Sequence, residues 1–207
     1  MSGVRTSEYL MLNTEGSPGD AVLIERFRGG DEKAFEELYH RYRSRLYAFL
    51  NNLVGAGAEC DEVFEETWLR VIDRLPKYRD DGRFGAWLFR VARNIFYDRM
   101  RRRRAEADQI SLDVDEPIQV MSGASGPGEQ LELSEIERLV VAEAAKLPLE
   151  LRETFWLRQQ GVAFKEIAAM QNCSINTALS RMQYALRALR KALSGFDRGV
   201  LSGRKDR

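Results

Sequence analysis

Histidine occurs once, cysteine twice and proline five times in a chain of 207 residues. Each scarcity closes off a kind of chemistry. One histidine cannot build a multi-histidine zinc site. Cys60 and Cys173 are too far apart for a C-x-x-C knuckle and too few for a disulfide framework. Metal-dependent or Ser-His-Asp catalysis is therefore not expected: the reading is a non-enzyme with no cofactor and no metal. No apolar run reaches the roughly 18 residues that a membrane span needs. Residues 1–20 also lack the basic start, apolar middle and small-residue cleavage site of a secretion signal. The expectation is a cytoplasmic chain without membrane insertion. With 44% hydrophobic and 31% charged residues, it fits a mostly helical protein of one or two small domains.

What the chain does have is charge, and the charge is sorted. The totals cancel at 32 Lys+Arg against 32 Asp+Glu. Residues 20–104 carry 18 basic and 15 acidic groups, residues 105–137 nine acidic and no basic ones, and residues 138–195 nine basic and four acidic. Two basic-leaning blocks tied by an acidic strap point to an anionic partner for the blocks, with nucleic acid the leading candidate. A merely solvated charged surface is the alternative at this level.

The strap is also where helical periodicity fails. Asp108, Asp113, Asp115, Glu116 and Pro117 precede Ser122-Gly123-Ala124-Ser125-Gly126-Pro127-Gly128. This composition predicts a flexible, self-repelling linker over 105–130. The extension 1–19 and the tail 196–207 are rich in Gly, Ser and charge and are expected to fray. That leaves blocks over 20–104 and 131–195.

In the first block Asp20 is placed to cap a short helix through Arg28, with Leu23, Ile24 and Phe27 inward and Gly29-Gly30 as the stop. Asp31 caps a long helix whose apolar stripe runs from Phe35 through Leu38, Tyr42, Leu46 and Phe49 to Leu53, before Gly55-Ala56-Gly57. A third helix runs from Ala58 to Leu75, where Pro76 ends it. Val63, Phe64, Val71, Ile72 and Leu75 are read as its inner set, and Asp61, Glu62, Glu65 and Glu66 as its outer face. A fourth runs from Phe84 or Gly85 to Arg104. The second block predicts helices over 131–146, 150–159 and 164–170, then the turn Gln171-Asn172-Cys173 and a long helix capped by Ser174 and running to Leu193. No segment alternates as a strand does. The fold class is all-α: two small helical domains joined by a flexible acidic linker, the second a helix-turn-helix domain.

Two places carry candidate function. On the fourth helix Leu88, Val91, Ala92 and Ile95 fall on one side, while Trp87, Arg90, Asn94, Tyr97 and Arg101 line the other. Aromatics stack on unpaired bases, amides read base edges and arginines hold phosphates, so this stripe suits single-stranded nucleic acid. Aromatics at helical spacing are also ordinary core residues, which is the competing reading for Trp87 and Tyr97. The run Arg101-Arg102-Arg103-Arg104 suits phosphate and equally complements a helix C-terminus. The second place is the pair of helices around Gln171-Asn172-Cys173. In a DNA-binding helix-turn-helix the second helix enters the major groove, and here Ile167, Met170, Ile175, Ala178 and Met182 are expected to share the core. Asn176, Thr177, Ser180, Arg181, Gln183, Tyr184, Arg187 and Lys191 point outward. A plain helical hairpin is the alternative.

Taken in order, four segments carry a resemblance: Gly30 to Phe35, Asp61 to Val71, Phe84 to Asn94, and Leu147-Pro148 through Arg181. From Asp20 to about Leu193 the chain resembles an extracytoplasmic-function sigma factor of the sigma-70 family, a bacterial RNA polymerase specificity subunit. The resemblance implies a polymerase-clamp and minus-ten domain over 20–104 and a minus-thirty-five domain over 131–195. It implies that Asp61, Glu62, Glu65 and Glu66 face the clamp helices of the polymerase's largest subunit. Trp87, Arg90, Asn94, Tyr97 and Arg101 would hold the non-template minus-ten strand, with Asn94 near a flipped base. Asn176, Thr177, Ser180, Arg181, Gln183, Tyr184 and Arg187 would meet minus-thirty-five DNA. Core RNA polymerase, through clamp helices and flap, and promoter DNA are the implied partners, with an anti-sigma factor a further candidate.

The departures are in the recognition helix. Family members often carry a basic residue where Leu179 stands, and again near Tyr184 and Leu186, so their recognition code does not transfer. The first 19 residues lie outside the match. Two rival readings remain at this stage. One is a free-standing helix-turn-helix DNA-binding regulator, which would need a ligand or dimerisation domain. The other is a nucleic-acid enzyme using the acidic row as a metal site, against which stands the lack of His or a second acidic cluster.

Overall fold

The computed structural model describes residues 18–79, 82–110 and 135–202. The extension before Pro18, residues 80–81, residues 111–130 of the linker expected over 105–130, the first residues of the helix expected from 131, and residues 203–207 fall outside the described residues; residues 105–110 of that expected linker are instead helical. Among the described residues the chain is helical, with no strand. Helices α1 (Asp20–Arg28), α2 (Glu32–Val54), α3 (Ala58–Arg74) and α4 (Phe84–Ile110) form one bundle, with a 3-10 turn at Leu75–Lys77. Helices α5 (Glu135–Ala145), α6 (Leu149–Gln159), α7 (Phe164–Met170) and α8 (Ile175–Ser202) form the other.

Local chemistry explains most of the ends. Asp31 Oδ1 accepts the Lys33 N–H at 3.1 Å and caps α2. Its other oxygen takes the Arg26 guanidinium at 2.7 Å, which holds the carboxyl below its ordinary range. Asp20 does not cap α1 as expected. Gly19 takes the N-cap position, and Asp20 enters the first turn, where a negative charge suits the helix dipole. Its carboxylate instead accepts from Arg41 Nη1 at 2.6 Å and from the Tyr42 hydroxyl, pinning α1 onto α2. Gly85 lets α4 start hard against α2: a Cβ there would lie 3.1 Å from Tyr42 Cε1.

Three details differ from the sequence reading. Ile72 is 42% exposed, because it lies one residue, about 100°, round α3 from the buried Val71; Thr67 and Trp68 fill the inner arc instead. Ile175 is 47% exposed rather than in the core. The helices also run further than their apolar periods. α4 continues past Arg104 through Ile110, and α8 past Leu193 through Ser202. Ala105 to Ala107 are good helix formers, and a lone Gly195 costs about 1 kcal/mol in a helix without breaking it.

The core of the first bundle is centred on Phe49, Phe84 and Phe89, all fully buried. Phe49 and Phe89 meet edge-to-face at 5.3 Å. Each contributes roughly 1.5–3 kcal/mol through burial. The two bundles are not independent, however. Leu157, Val162, Ile167, Ala168, Met170 and Ala178 of the second bundle belong to the same apolar cluster as Leu38, Leu46 and Phe89 of the first. A smaller cluster of Ala144, Leu147, Phe155, Ala185 and Leu189 is internal to the second. Helix α6 lies between them, with Arg152, Glu153, Thr154, Phe155 and Leu157 all buried.

Candidate nucleic-acid interface

α4 delivers its predicted inner side: Leu88, Val91, Ala92 and Ile95 are buried. The opposite stripe is mixed in exposure. Arg90, Asn94 and Arg101 are exposed, Arg101 with Asp98 as an ion-pair partner one turn back. Trp87 is half-buried, its ring tilted over Tyr78 at 4.4 Å and beside Phe84 at 5.7 Å. Tyr97 is half-buried under the Arg93 guanidinium, 4.3 Å from its ring, and donates to Glu153 Oε2 at 3.2 Å. Burial, with the Glu153 charge behind it, pushes the Tyr97 phenol well above its ordinary range. This stripe therefore offers an open amide at Asn94, an open guanidinium at Arg90 and an exposed but ion-paired one at Arg101 beside an aromatic ledge.

The helix-turn-helix is built as its residues dictate. Asn172 takes a left-handed φ of 50° at the turn, which Asn tolerates better than most residues. Ser174 Oγ accepts the Thr177 N–H at 3.0 Å and caps α8. Gln171 is the brace that sequence reasoning missed. Its amide nitrogen donates to Glu150 O at 3.1 Å and Glu153 Oε2 at 3.0 Å, and its oxygen accepts from Arg181 Nη1 at 2.7 Å. Arg181, read as outward, is thus half-buried and turned back into the motif. Asn176, Thr177, Ser180, Gln183, Tyr184 and Arg187 are exposed. The Arg187 guanidinium lies 5.5 Å from the Tyr184 ring.

The acidic row of α3 is partly engaged within the fold. Arg99 of α4 bridges Glu62 and Glu66, reaching Glu66 Oε2 at 3.0 Å, and these carboxylates raise its guanidinium pKa. Arg70 also holds Glu66, at 2.6 Å. Asp61 accepts the Tyr47 hydroxyl at 2.8 Å, which pushes that phenol up to about 12. Glu65 is exposed and carries no ion pair among the described residues. No group of three or more His, Cys, Asp or Glu side chains is arranged to hold a metal among the described residues.

The bundles also meet through polar contacts. Glu153, fully buried, pairs with Arg93 of α4. Arg83 reaches Glu166 of α7 at 3.3 Å. Arg45 of α2 donates to the Gln160 backbone and side-chain oxygens at the end of α6. A buried acid in the Leu151-Arg152-Glu153-Thr154 run was the available sequence signal, but nothing local says which cation meets it.

Among the described residues the chain is helical, with a helix-turn-helix on one bundle and an amide–arginine stripe on the other, an arrangement that suits nucleic acid. The comparisons with known proteins narrow the class. Residues 38–106 match the family Sigma-70 region 2. The ECF RNA polymerase sigma-E factor of Escherichia coli (strain K12) is 29% identical over 176 residues, 82% of this chain and 92% of that one. The RNA polymerase sigma-H factor of Pseudomonas aeruginosa is 28% identical over 180 residues, 84% of this chain and 93% of that one. In fold the chain is similar to the sigma factor RpoE of Bartonella quintana, solved with the anti-sigma factor NepR (TM-score 0.61, 24% identity, 78% of this chain and 98% of that one). It is similar also to CnrH, solved with the cytosolic domain of CnrY (TM-score 0.58, 21% identity, 85% and 97%). The chain is thus similar to ECF sigma factors over more than four fifths of its length, and residues 38–106 match Sigma-70 region 2. The Escherichia coli and Pseudomonas aeruginosa relatives are both named as RNA polymerase sigma factors, which are regulatory subunits rather than catalysts.

Proposed function

We propose that the chain is an alternative sigma factor, which directs RNA polymerase to promoters, and that its division of labour follows its two bundles. The first, over 20–104, docks on core polymerase through Asp61, Glu62, Glu65 and Glu66 of α3, facing the clamp helices of the largest subunit. It captures the melted non-template minus-ten strand along Trp87, Arg90, Asn94, Tyr97 and Arg101 of α4. Base flipping costs a few kcal/mol, which stacking on the Trp87 ledge and phosphate contacts from the arginines offset. The second, over 131–195, docks α8 in the major groove of duplex minus-thirty-five DNA through Asn176, Thr177, Ser180, Gln183, Tyr184 and Arg187, with Arg181 bracing the motif from within. The strap over 105–130, which carries acidic groups and no basic ones, threads through the polymerase between them. Polymerase performs the chemistry, so the chain itself is no enzyme, and its place of work is the cytoplasm. Both similar solved proteins were captured with proteins that hold them, one of them an anti-sigma factor, and such a partner is part of the reading.

The observation that carries the proposal is the exposed Asn94, flanked by exposed Arg90 and Arg101, on the helix inside the matched segment 38–106. The test is transcription from a promoter library by core polymerase with and without the chain. Start sites that need the chain and share paired upstream elements are the expected result. Binding of isolated duplex DNA without any polymerase-dependent start site would favour a free-standing regulator instead.

A further inference from the structure

The recognition helix has an unusual beginning. At 100° per residue, Asn176, Ser180, Gln183 and Arg187 form the middle of its outward face, with Leu179 and Ile175 on one flank. Leu179 is 38% exposed and Ile175 47%. Neither belongs to the two apolar clusters, which α8 joins through Ala178, Ala185 and Leu189. Single exposed apolar residues are common and mean little. These two sit in the first turns of the second helix of a helix-turn-helix, the part that meets base edges.

The cations that could read guanine are missing from that part. Arg181 is the first on α8, and its guanidinium is taken by Gln171 Oε1 at 2.7 Å and lies 3.7 Å from Cys173 Sγ. The next, Arg187, lies about 18 Å along the helix from Ile175 at 1.5 Å per residue. It is followed by Arg190 and Lys191; none of the three has an ion pair among the described residues, which suits phosphates at the groove edge. The groups left to meet bases are the amides of Asn176 and Gln183, which match the adenine N6/N7 edge, and an aliphatic flank, which matches the thymine C5-methyl.

We propose that Leu179 is a specificity-determining residue that reads a thymine methyl in the minus-thirty-five element. The upstream element is then selected through A·T pairs rather than through an arginine–guanine contact. The inference rests on the sigma-factor reading and adds a chemical class of base to it.

The test uses holoenzyme assembled from core polymerase and the full chain, on a promoter taken from the library. Each upstream thymine is replaced by uracil, which removes only the methyl, and each guanine by 7-deazaguanine. At one thymine uracil is expected to weaken holoenzyme binding about fourfold, the transfer value of one buried methyl. In Leu179→Ala that thymine should lose its advantage over uracil, and in Leu179→Met, which keeps an aliphatic contact, the advantage should persist. Equal uracil sensitivity in wild type and Leu179→Ala overturns the assignment. So does an upstream element with no thymine sensitive to uracil, or one whose strongest loss follows guanine N7 removal. Absence of any chain-dependent start site is a different failure, that of the sigma reading itself.

Discussion

Glu153 and Arg93 form an ion pair across the two bundles, with the carboxylate fully buried and the guanidinium 16% exposed. Tyr97 and Gln171 donate to the same carboxylate, so one acid on α6 joins α4 to the brace of the helix-turn-helix. A promoter places the minus-ten and minus-thirty-five elements about 25 base pairs, roughly 85 Å, apart at 3.4 Å per pair. A compact fold of 207 residues has a radius of gyration of only about 17 Å. On the proposed function, the paired arrangement therefore has to open before both surfaces reach DNA together.

Arg93→Ala should favour that opening. Removing one side of a buried pair costs roughly 3–5 kcal/mol, and here separation of the bundles lets Glu153 reach water. Small-angle scattering should show a larger radius of gyration than wild type. Association with core polymerase should tighten in proportion to the gain in open fraction. A variant as compact as wild type would mean that the shared apolar cluster, not the ion pair, holds the bundles together.

Asn94→Ala should lower open-complex formation by roughly tenfold, the scale of one lost base contact, while polymerase binding stays near wild type. Asn94 is exposed, so little stability is at stake. Trp87→Ala is a harder variant to read, because the ring also packs on Tyr78 and Phe84. Potassium permanganate footprinting of the melted strand distinguishes the two steps. Equal loss of binding and melting would remove Asn94 from the strand-capture role.

Charge reversal on α3 should divide by position. Glu66→Lys breaks contacts to Arg70 and Arg99 and should lower the melting temperature as well as polymerase affinity. Glu65→Lys meets no such network and should weaken polymerase binding alone, with a smaller effect at high salt. Fluorescence titration against core polymerase, beside a thermal melt, checks both. Unchanged affinity in Glu65→Lys would take that side chain out of the docking face.

The two thiols should react at different times. Burial pushes the Cys60 thiol up to about 12, so at pH 8 it is both protonated and inaccessible. Cys173 is half-buried at the turn. Titration with a disulfide reagent should count one thiol in the native protein and two after denaturation, and Cys173→Ser should abolish the native count. Release of two thiols under native conditions would show that the first bundle opens far more readily than its packing implies.

The helices were legible in the sequence because their causes are local. A three-to-four residue apolar period, Asp31 and Ser174 as caps, and glycines at Gly29-Gly30 and Gly55 placed most ends within a residue or two. Where the reading missed, the cause was not local. Asp20 left the capping role because Arg41 and Tyr42, twenty residues on, compete for its carboxylate. Arg181 was read as outward from its spacing, and Gln171 turned it inward.

The sequence by itself determined the helical class and the candidate surfaces: sorted charge, two helical blocks, a helix-turn-helix and a stripe of amide, aromatic and arginine side chains are all consequences of residue order within a few turns. Only the tertiary structure decided which of those side chains stay available. Arg93 and Glu153 stand 60 residues apart, and Arg45 and Gln160 stand 115 apart. No periodicity links such positions. Their pairing follows from the burial of α6 between two bundles, because a carboxylate taken out of water needs a cation and donors wherever the chain brings them.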